Sequence, residues 1–199
     1  MTSRIATLTL AFALAVPALG LAANYDEGVS GDLSGDRLNP TSISLGSFTN
    51  FISGTTVQGD IDYFTVTLPQ LSGIPLPILS ISLTQFTSTD DLAFLAVQEG
   101  SQFTEPPTGT DTTKLLGYEH IGLPLNVNIL PTMGSQPGTI GFTQLAGPVY
   151  TFWLQQTGPQ PVAYTLDIYV TPEPSPLALF AAGLVAWRVG RRFARVRAE

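Results

Sequence analysis

The chain repeatedly alternates apolar and polar side chains. Over Val162–Val170 every second residue is apolar, and the same pattern recurs in Phe64–Leu68, Leu79–Leu83 and Tyr150–Leu154. A period of two residues places the apolar side chains on one face of an extended strand, whereas an amphipathic helix needs a period near 3.6. No stretch of residues 24–171 has a convincing helical period. The pattern therefore predicts half-buried strands whose apolar faces must cover one another.

Shorter candidate strands bring the expected total to about eight or nine. They are Ser42–Phe48, Thr55–Gln58, Leu92–Gln98, Leu115–Glu119 and Thr139–Thr143. Residues 100–113 and 131–138 are rich in Gly, Pro, Thr and Ser, so we expect exposed loops there. Hydrophobic residues make up 44% of the chain, enough for a packed core. The expected fold is all-β: an antiparallel β-sandwich, jelly-roll-like in its connections.

The first 23 residues have the three parts of a secretory signal peptide. Arg4 supplies a positive charge, Ile5–Val16 is an apolar run of 12 residues, and small residues follow. Such a run is too short to span a bilayer as a helix but suits the apolar region of a signal peptide. Cleavage after Ala22 or after Ala23 fits the sequence, and an uncleaved anchor is the alternative. We expect residues 1–23 to form a signal helix that directs export.

The last 28 residues, 172–199, form a second three-part segment. Pro172, Glu173 and Pro174 precede an apolar run over residues 176–187. Five arginines follow within residues 188–197: Arg188, Arg191, Arg192, Arg195 and Arg197. As a helix the run would rise about 18 Å, less than a roughly 30 Å hydrocarbon core. We expect a short transmembrane helix whose basic end stays in the cytoplasm.

This tail resembles the PEP-CTERM sorting signal of Gram-negative bacteria in its Pro-Glu-Pro motif, its apolar run and its arginines. The resemblance implies that an exosortase, a membrane protease-transpeptidase, recognises the tail and processes the protein near residues 172–174. It implies transient anchoring at the inner membrane, then a place on the outer surface or outside the cell. It also implies association with exopolysaccharide or biofilm. A plain tail anchor or a basic amphipathic helix is the alternative.

Residues 24–171, the expected β-domain, carry 13 acidic side chains and two basic ones. So few bases argue against binding nucleic acid or anionic lipid headgroups. Within this region Gly59–Val66, Tyr150–Leu154 and Ala163–Ile168 resemble strands of bacterial pre-peptidase-type C-terminal domains. That resemblance implies a small secreted β-sandwich without catalytic activity, implicated in binding or secretion.

Most catalytic chemistries lack their usual residues in this chain. Cysteine is absent, which excludes disulfides, thiolate metal sites and cysteine nucleophiles. His120 is the only histidine, so a conventional zinc site lacks ligands. No Gly-x-Ser-x-Gly elbow accompanies His120, and we expect a solvated or capping histidine. The sequence therefore predicts a protein that is not an enzyme and has no required cofactor.

Carboxylates are the candidates for a metal site. Asp60 and Asp62 are two residues apart in one strand, and Asp90 and Asp91 open another strand. Calcium prefers hard oxygen ligands, so a calcium site at these four residues is the metal hypothesis. A further acidic group crowds the start of the β-domain: Asp26, Glu27, Asp32 and Asp36. Solvated turn carboxylates and strand-end hydrogen bonds are the alternative.

Two other functions use residues of the β-domain. Glycosidases use two carboxylates about 5 to 10 Å apart. A small secreted hydrolase of polysaccharide, with Asp60 and Asp62 or Glu99 and Asp91, is therefore the alternative function. Aromatic rings that could stack on sugars belong to Tyr63, Tyr118 and Trp153, although burial in the core is the favoured interpretation of these residues. The leading expectation is a secreted, surface-sorted, non-enzymatic protein of the extracellular matrix, with exopolysaccharide as its partner.

Overall fold

The computed structural model describes residues 22–88, 92–171 and Gly183. The two long ranges lie within one compact unit, Leu19–Glu173. Most of the predicted signal peptide, the Pro-Glu-Pro motif, the apolar run apart from Gly183, and the arginine cluster lie outside the described residues, as do Asp90 and Asp91. Among the residues described, no helix is both long and apolar enough to cross a membrane.

The protein is mostly β-structure, so the all-β prediction is confirmed. The strands are β1 (Asn24–Asp26), β2 (Thr41–Ser44), β3 (Phe48–Thr56), β4 (Ile61–Thr67), β5 (Gln70–Leu71), β6 (Ile74–Pro75), β7 (Ile78–Phe86), β8 (Ala93–Glu99), β9 (Gly117–Ile121), β10 (Val149–Gln156) and β11 (Val162–Val170). Two short α-helices, α1 (Glu27–Ser30) and α2 (Leu130–Met133), and a 3-10 turn (Thr112–Lys114) interrupt them.

The strands form two main sheets and a small hairpin. One sheet has the order β1-β3-β11-β7, the other has the order β2-β4-β10-β8-β9, and β5 pairs with β6. The prediction of purely antiparallel pairing is wrong, because β1 runs parallel to β3 and β2 runs parallel to β4. β1 and β3 belong to one sheet, and β2 and β4 belong to the other. The chain crosses to the opposite sheet after each of these strands, so β3 comes back parallel to β1 and β4 comes back parallel to β2. The sheets are therefore mixed.

One apolar cluster lies between the two main sheets. Phe64 of β4 stacks on Phe152 of β10 with ring centroids 5.2 Å apart, and Leu166 and Ile168 of β11 contribute from the other sheet. All four side chains are fully buried. These are inward-facing positions of the predicted alternation; the half-buried pattern itself is confirmed in β11, whereas β4 and β10 are buried on both faces. At about 1.5–3 kcal/mol for each large apolar side chain, their burial supplies a large part of the folding free energy.

Three predicted strands differ from the structure. Ser42–Phe48 is a strand only to residue 44, after which the chain turns into β3. Thr55–Gln58 is only the end of the nine-residue β3, whose core-facing positions include Asn50 and Thr56, and these polar residues interrupt the alternation. Residues 139–143 form no strand, because Gly141 has a φ of 86° that breaks the extended backbone.

Leu79 also differs from its predicted position. The alternation places Leu79 on the same face as Ile81 and Leu83, yet its side chain is exposed while Ile78 is buried instead. The ladder between β7 and β11 shifts register between Tyr169 and Val170, which is a β-bulge or similar irregularity. An extra residue at such a point moves the following side chains to the opposite face.

The expected exposed loops contain buried anchors. Phe103 is 0% exposed and Glu105 is 6% exposed, so the prediction for residues 100–113 is wrong at these two positions. Phe103 packs with Tyr63 and Trp153 in a second apolar cluster on the outer face of the five-stranded sheet. Residues 131–138 include the end of α2, where Met133 is buried.

Asn50 connects the start of the described domain to its last strand. Its Oδ1 accepts hydrogen bonds from the backbone N–H of Ala23 at 2.8 Å and of Gly46 at 2.7 Å. Its Nδ2 donates to the carbonyls of Gly46, Phe48 and Ile168. The side chain is fully buried, so water cannot replace these partners.

Replacing Asn50 with alanine should destabilise the protein by roughly 3 kcal/mol, because several buried backbone groups lose their partner. Urea unfolding measures the change. The matched control is Asn39→Ala, since Asn39 is exposed and its side-chain amide bonds to the exposed Asp36; its effect should stay within about 0.5 kcal/mol. Equal losses in both variants would contradict the assigned role of Asn50.

Candidate functional site

Three carboxylates converge where the N-terminal segment meets β4. One carboxylate oxygen from each of Glu27, Asp32 and Asp62 lies within 4.8 Å of the other two. Glu27 begins α1, Asp32 follows that helix, and Asp62 belongs to β4. We call these three residues the acidic cluster. It joins Asp62 to residues that lie 30 and 35 positions before it in the sequence, which only the tertiary fold brings together.

Asp62 faces the protein interior because of its position in β4. It has the same parity as Phe64 and Val66, which pack in the core between the sheets. Its side chain is 0% exposed. Neither of its carboxylate oxygens has a hydrogen-bond partner among the residues that the structure describes. A buried polar group without a partner is costly, so this carboxyl group needs a physical explanation.

Glu27 is held against the four-stranded sheet by one hydrogen bond from β3 and one from β11. Its Oε2 accepts from the backbone N–H of Thr55 at 2.8 Å, and its Oε1 accepts from the Tyr164 hydroxyl at 3.2 Å. Gly54 makes room for this approach, because a Cβ at that position would collide with the Glu27 carboxylate. Glu27, Asp32 and Tyr164 line an open cleft of about 480 Å³. Two members of the cluster, Glu27 and Asp32, are therefore accessible from solvent, and the fully buried Asp62 lies behind them.

The basic side chains of the described domain are engaged elsewhere. Arg37 donates to the backbone carbonyls of Phe103 and Thr104. Lys114 pairs with Glu105 at 3.2 Å and with Asp111 at 3.8 Å. These are the two Lys or Arg residues of 24–171. Within the described residues, the acidic cluster consequently has no ion pair.

The pKa values of the cluster reflect this imbalance. Burial, followed by the negative charges of Glu27, Asp60 and Asp32, raises the pKa of Asp62 to about 8. Burial is also the main cause of the raised pKa of Glu27 and of Asp60. Tyr164 has its pKa raised by burial and by the same carboxylates. Without a cation, the cluster therefore favours a proton on Asp62 at neutral pH.

The structure groups the predicted metal ligands differently from the sequence pattern. Asp60 lies in the turn before β4, where its N–H donates to the carbonyl of Val57, so it is not on a strand face with Asp62. Asp62 instead meets two members of the N-terminal acidic group. The other two members of that group have local roles: Asp26 caps α1 and Asp36 accepts from the N–H of Leu38.

The hydrolase and sugar-stacking candidates also have definite positions. Asp62 is too buried to contact a sugar, and Glu99 ends β8, where it pairs in register with Tyr150. Tyr63 and Trp153 are buried in the outer cluster, as the core interpretation predicts. Tyr118 is half-buried, and exposed His120 packs edge-on against Phe94 with ring centroids 5.5 Å apart.

No protein-family model, curated protein or solved structure matches the chain. The acidic cluster itself offers only oxygen ligands, which suit a hard cation such as calcium. Sequence analysis identified Glu27, Asp32 and Asp62 as acidic candidates but missed their convergence and the contribution of Tyr164. The available signal was Asp62 itself, a carboxylate in phase with the apolar residues of its strand.

In protein freed of divalent cations, the free energy of unfolding should fall as pH rises from about 4 towards 8. Folded Asp62 keeps its proton over this range, while the unfolded chain releases it above the ordinary pKa of 3.8, so rising pH opposes folding. One such group gives a slope of at most about 1.4 kcal/mol per pH unit. Urea unfolding at several pH values measures the slope.

The isosteric variant Asp62→Asn should remove most of this pH dependence, because it places no ionisable group in the core. Asp36→Asn is the control. Hydrogen bonds lower the pKa of Asp36, so its contribution to the pH dependence of stability falls below the tested pH range. A slope that is unchanged in Asp62→Asn would show that other groups cause it.

Proposed function

We propose that this protein is an exported β-sandwich without catalytic activity of its own, sorted to the cell surface as a component of the extracellular matrix. The signal peptide lies within residues 1–23, and the PEP-CTERM-like tail 172–199 is processed by an exosortase-type enzyme after transient anchoring in the inner membrane. Two sheets around one core support the sandwich description.

The observation that carries this proposal is the agreement between the folded domain and the two processing regions. The first strand begins at Asn24 and the last ends at Val170. Thr171 is still fixed, since its N–H donates to the carbonyl of Pro77 at 2.9 Å. Removal of a signal peptide and of the tail beyond residue 174 would therefore leave every described strand intact.

The hydrogen bonds of Ala23 favour cleavage after Ala22 over cleavage after Ala23. Its N–H donates to Asn50, and its carbonyl accepts from the N–H of Phe51 at 2.9 Å. Cleavage after Ala22 keeps both partners, because the new amino group still has N–H donors. Cleavage after Ala23 would leave Phe51 without its acceptor.

The intact mass of the protein recovered outside a native-like host should correspond to a chain from Ala23 to about residue 174, with or without an adduct. Glu173→Gln should retain the unprocessed tail, because it alters the recognised motif, while Glu199→Gln should be processed normally. Recovery only from membranes, with residues 188–199 still attached, would make the tail a plain anchor and overturn the sorting proposal.

A second cleft supports exopolysaccharide as the partner. It measures about 320 Å³ on the outer face of the five-stranded sheet and combines the half-buried rings of Phe94 and Tyr118 with Gln155 and Thr112. Partly exposed aromatic rings beside hydroxyl and amide groups suit the stacking and hydrogen bonding of sugar rings. Tyr118 is thus the one predicted sugar-stacking residue that keeps an accessible surface.

Tyr118→Ala should weaken co-sedimentation with the host's exopolysaccharide by about 3- to 10-fold, as expected for the loss of one stacking contact. Tyr169→Ala, on the half-exposed outer side of the four-stranded sheet, is the control. Unchanged binding in Tyr118→Ala would exclude this cleft. Release of reducing ends that disappears in Asp60→Asn would instead support the hydrolase alternative.

A further inference from the structure

We propose that Glu27, Asp32 and Asp62 bind one calcium ion, which fastens the N-terminal segment Asn24–Asp36 to β4. The proposal is independent of tail processing, since all three ligands lie within the described β-domain. It replaces the sequence-based ligand set around Asp60 and Asp62 with a site that combines Asp62 and the N-terminal acidic group.

The spacing of the carboxylates suits calcium. Three oxygens within 4.8 Å of one another need at most a small further approach to contact one ion at about 2.3–2.6 Å. Magnesium requires distances of about 2.0–2.1 Å and a nearly ideal octahedron, so it tolerates a site of irregular geometry less well than calcium does. The cluster has neither thiolate nor imidazole, which disfavours zinc and other softer metals.

The burial of Asp62 is the second observation that points to a bound cation. Its side chain is fully buried, both of its oxygens lack a hydrogen-bond partner within the described domain, and one of them faces Glu27 and Asp32. A solvated surface carboxylate would need no explanation, but this group has lost water, and the nearby Tyr164 hydroxyl, which lowers the Asp62 pKa only slightly against burial, donates to Glu27 instead. A cation between the three carboxylates supplies the missing partner.

The access from solvent and the number of available oxygen ligands also suit calcium. The cleft beside Glu27 and Asp32 opens to solvent, so calcium can enter and water can complete its shell of six to eight oxygens. The Thr55 N–H and the Tyr164 hydroxyl orient Glu27 towards the site. Such supporting contacts hold a metal-binding side chain in one position.

The expected consequence of binding is a more firmly attached N-terminal segment. Helix α1 has four residues and buries none of them. Glu27 connects α1 to the four-stranded sheet through its hydrogen bonds with Thr55 and Tyr164, while Asp62 belongs to the other sheet. A calcium ion would therefore join α1, the following loop and both sheets at one point.

The test begins with the purified full chain, treated with chelator and then titrated with calcium chloride. We expect calorimetry to give one ion per chain and thermal unfolding to show a Tm increase of about 5–10 °C at 100 times the Kd. Amide hydrogen exchange in residues 24–36 should slow with calcium. Magnesium chloride at the same concentration should give a smaller response.

Asp62→Asn and Asp32→Asn should each abolish the calcium response. Asp32 is exposed, so its variant should fold even if a change in the core does not. The matched control for Asp62 is Asp167→Asn: Asp167 also lies in a strand and has a buried, unpartnered Oδ1, but it is outside the acidic cluster. This variant should respond to calcium as the wild-type protein does.

Gly54→Ala tests the geometry without changing any charge. Its new Cβ would displace the Glu27 carboxylate, so we expect calcium affinity to fall by about 10- to 100-fold. Gly35→Ala is the control, because the nearest atom to its added Cβ is the Ile61 carbonyl oxygen at an ordinary 3.7 Å. The proposal fails if calcium produces neither heat nor a Tm change, or if all variants respond like the wild type.

Discussion

The register of β4 determines where the unusual chemistry of this domain lies. Phe64 pairs with Phe152 of β10 and stacks on its ring, which fixes the face of β4 that turns towards the core. A shift of one residue would move Phe64 and Val66 to the outer face of the sheet and place Thr65 and Thr67 in the core between the sheets instead. Because Asp62 shares the parity of Phe64, the same apolar packing holds its carboxyl group in the interior. The free energy of the core offsets the cost of burying this carboxyl group.

The outer face of the five-stranded sheet explains why that cost is not relieved by a basic side chain. Tyr63 and Trp153 form an apolar surface there, and the loop containing Phe103 covers it. Arg37 bonds to carbonyls of this loop, and Lys114 bonds to its buried carboxylate, Glu105. The domain thus uses its two basic side chains to fasten one loop. The acidic cluster has no basic partner within the described residues. Within it, Glu27 accepts hydrogen bonds from the Tyr164 hydroxyl and the Thr55 N–H instead.

Local alternation was sufficient to predict β11 with both of its ends, because each of its inward positions is apolar. It failed in β3, where Asn50 faces the interior and uses backbone partners instead of apolar contacts. The parallel pairing of β1 with β3 and of β2 with β4 depends on which sheet each strand joins, and residue spacing does not contain that information. The same limit applies to the cluster: spacing paired Asp62 with Asp60, whereas folding brings Glu27 and Asp32 to it.

Asn50 also relates the two ends of the β-domain to each other. β1 and β11 flank β3 on opposite sides, with both Asn24 and Asp167 in register with Phe51. The Asn50 side chain then bonds to Ala23 and to Ile168, two residues before the end of β11. Both ends are therefore fixed by the same short stretch of β3. A chain that begins at Ala23 and ends after Thr171 would keep this connection. Maturation at the proposed sites is therefore compatible with a domain that is already folded.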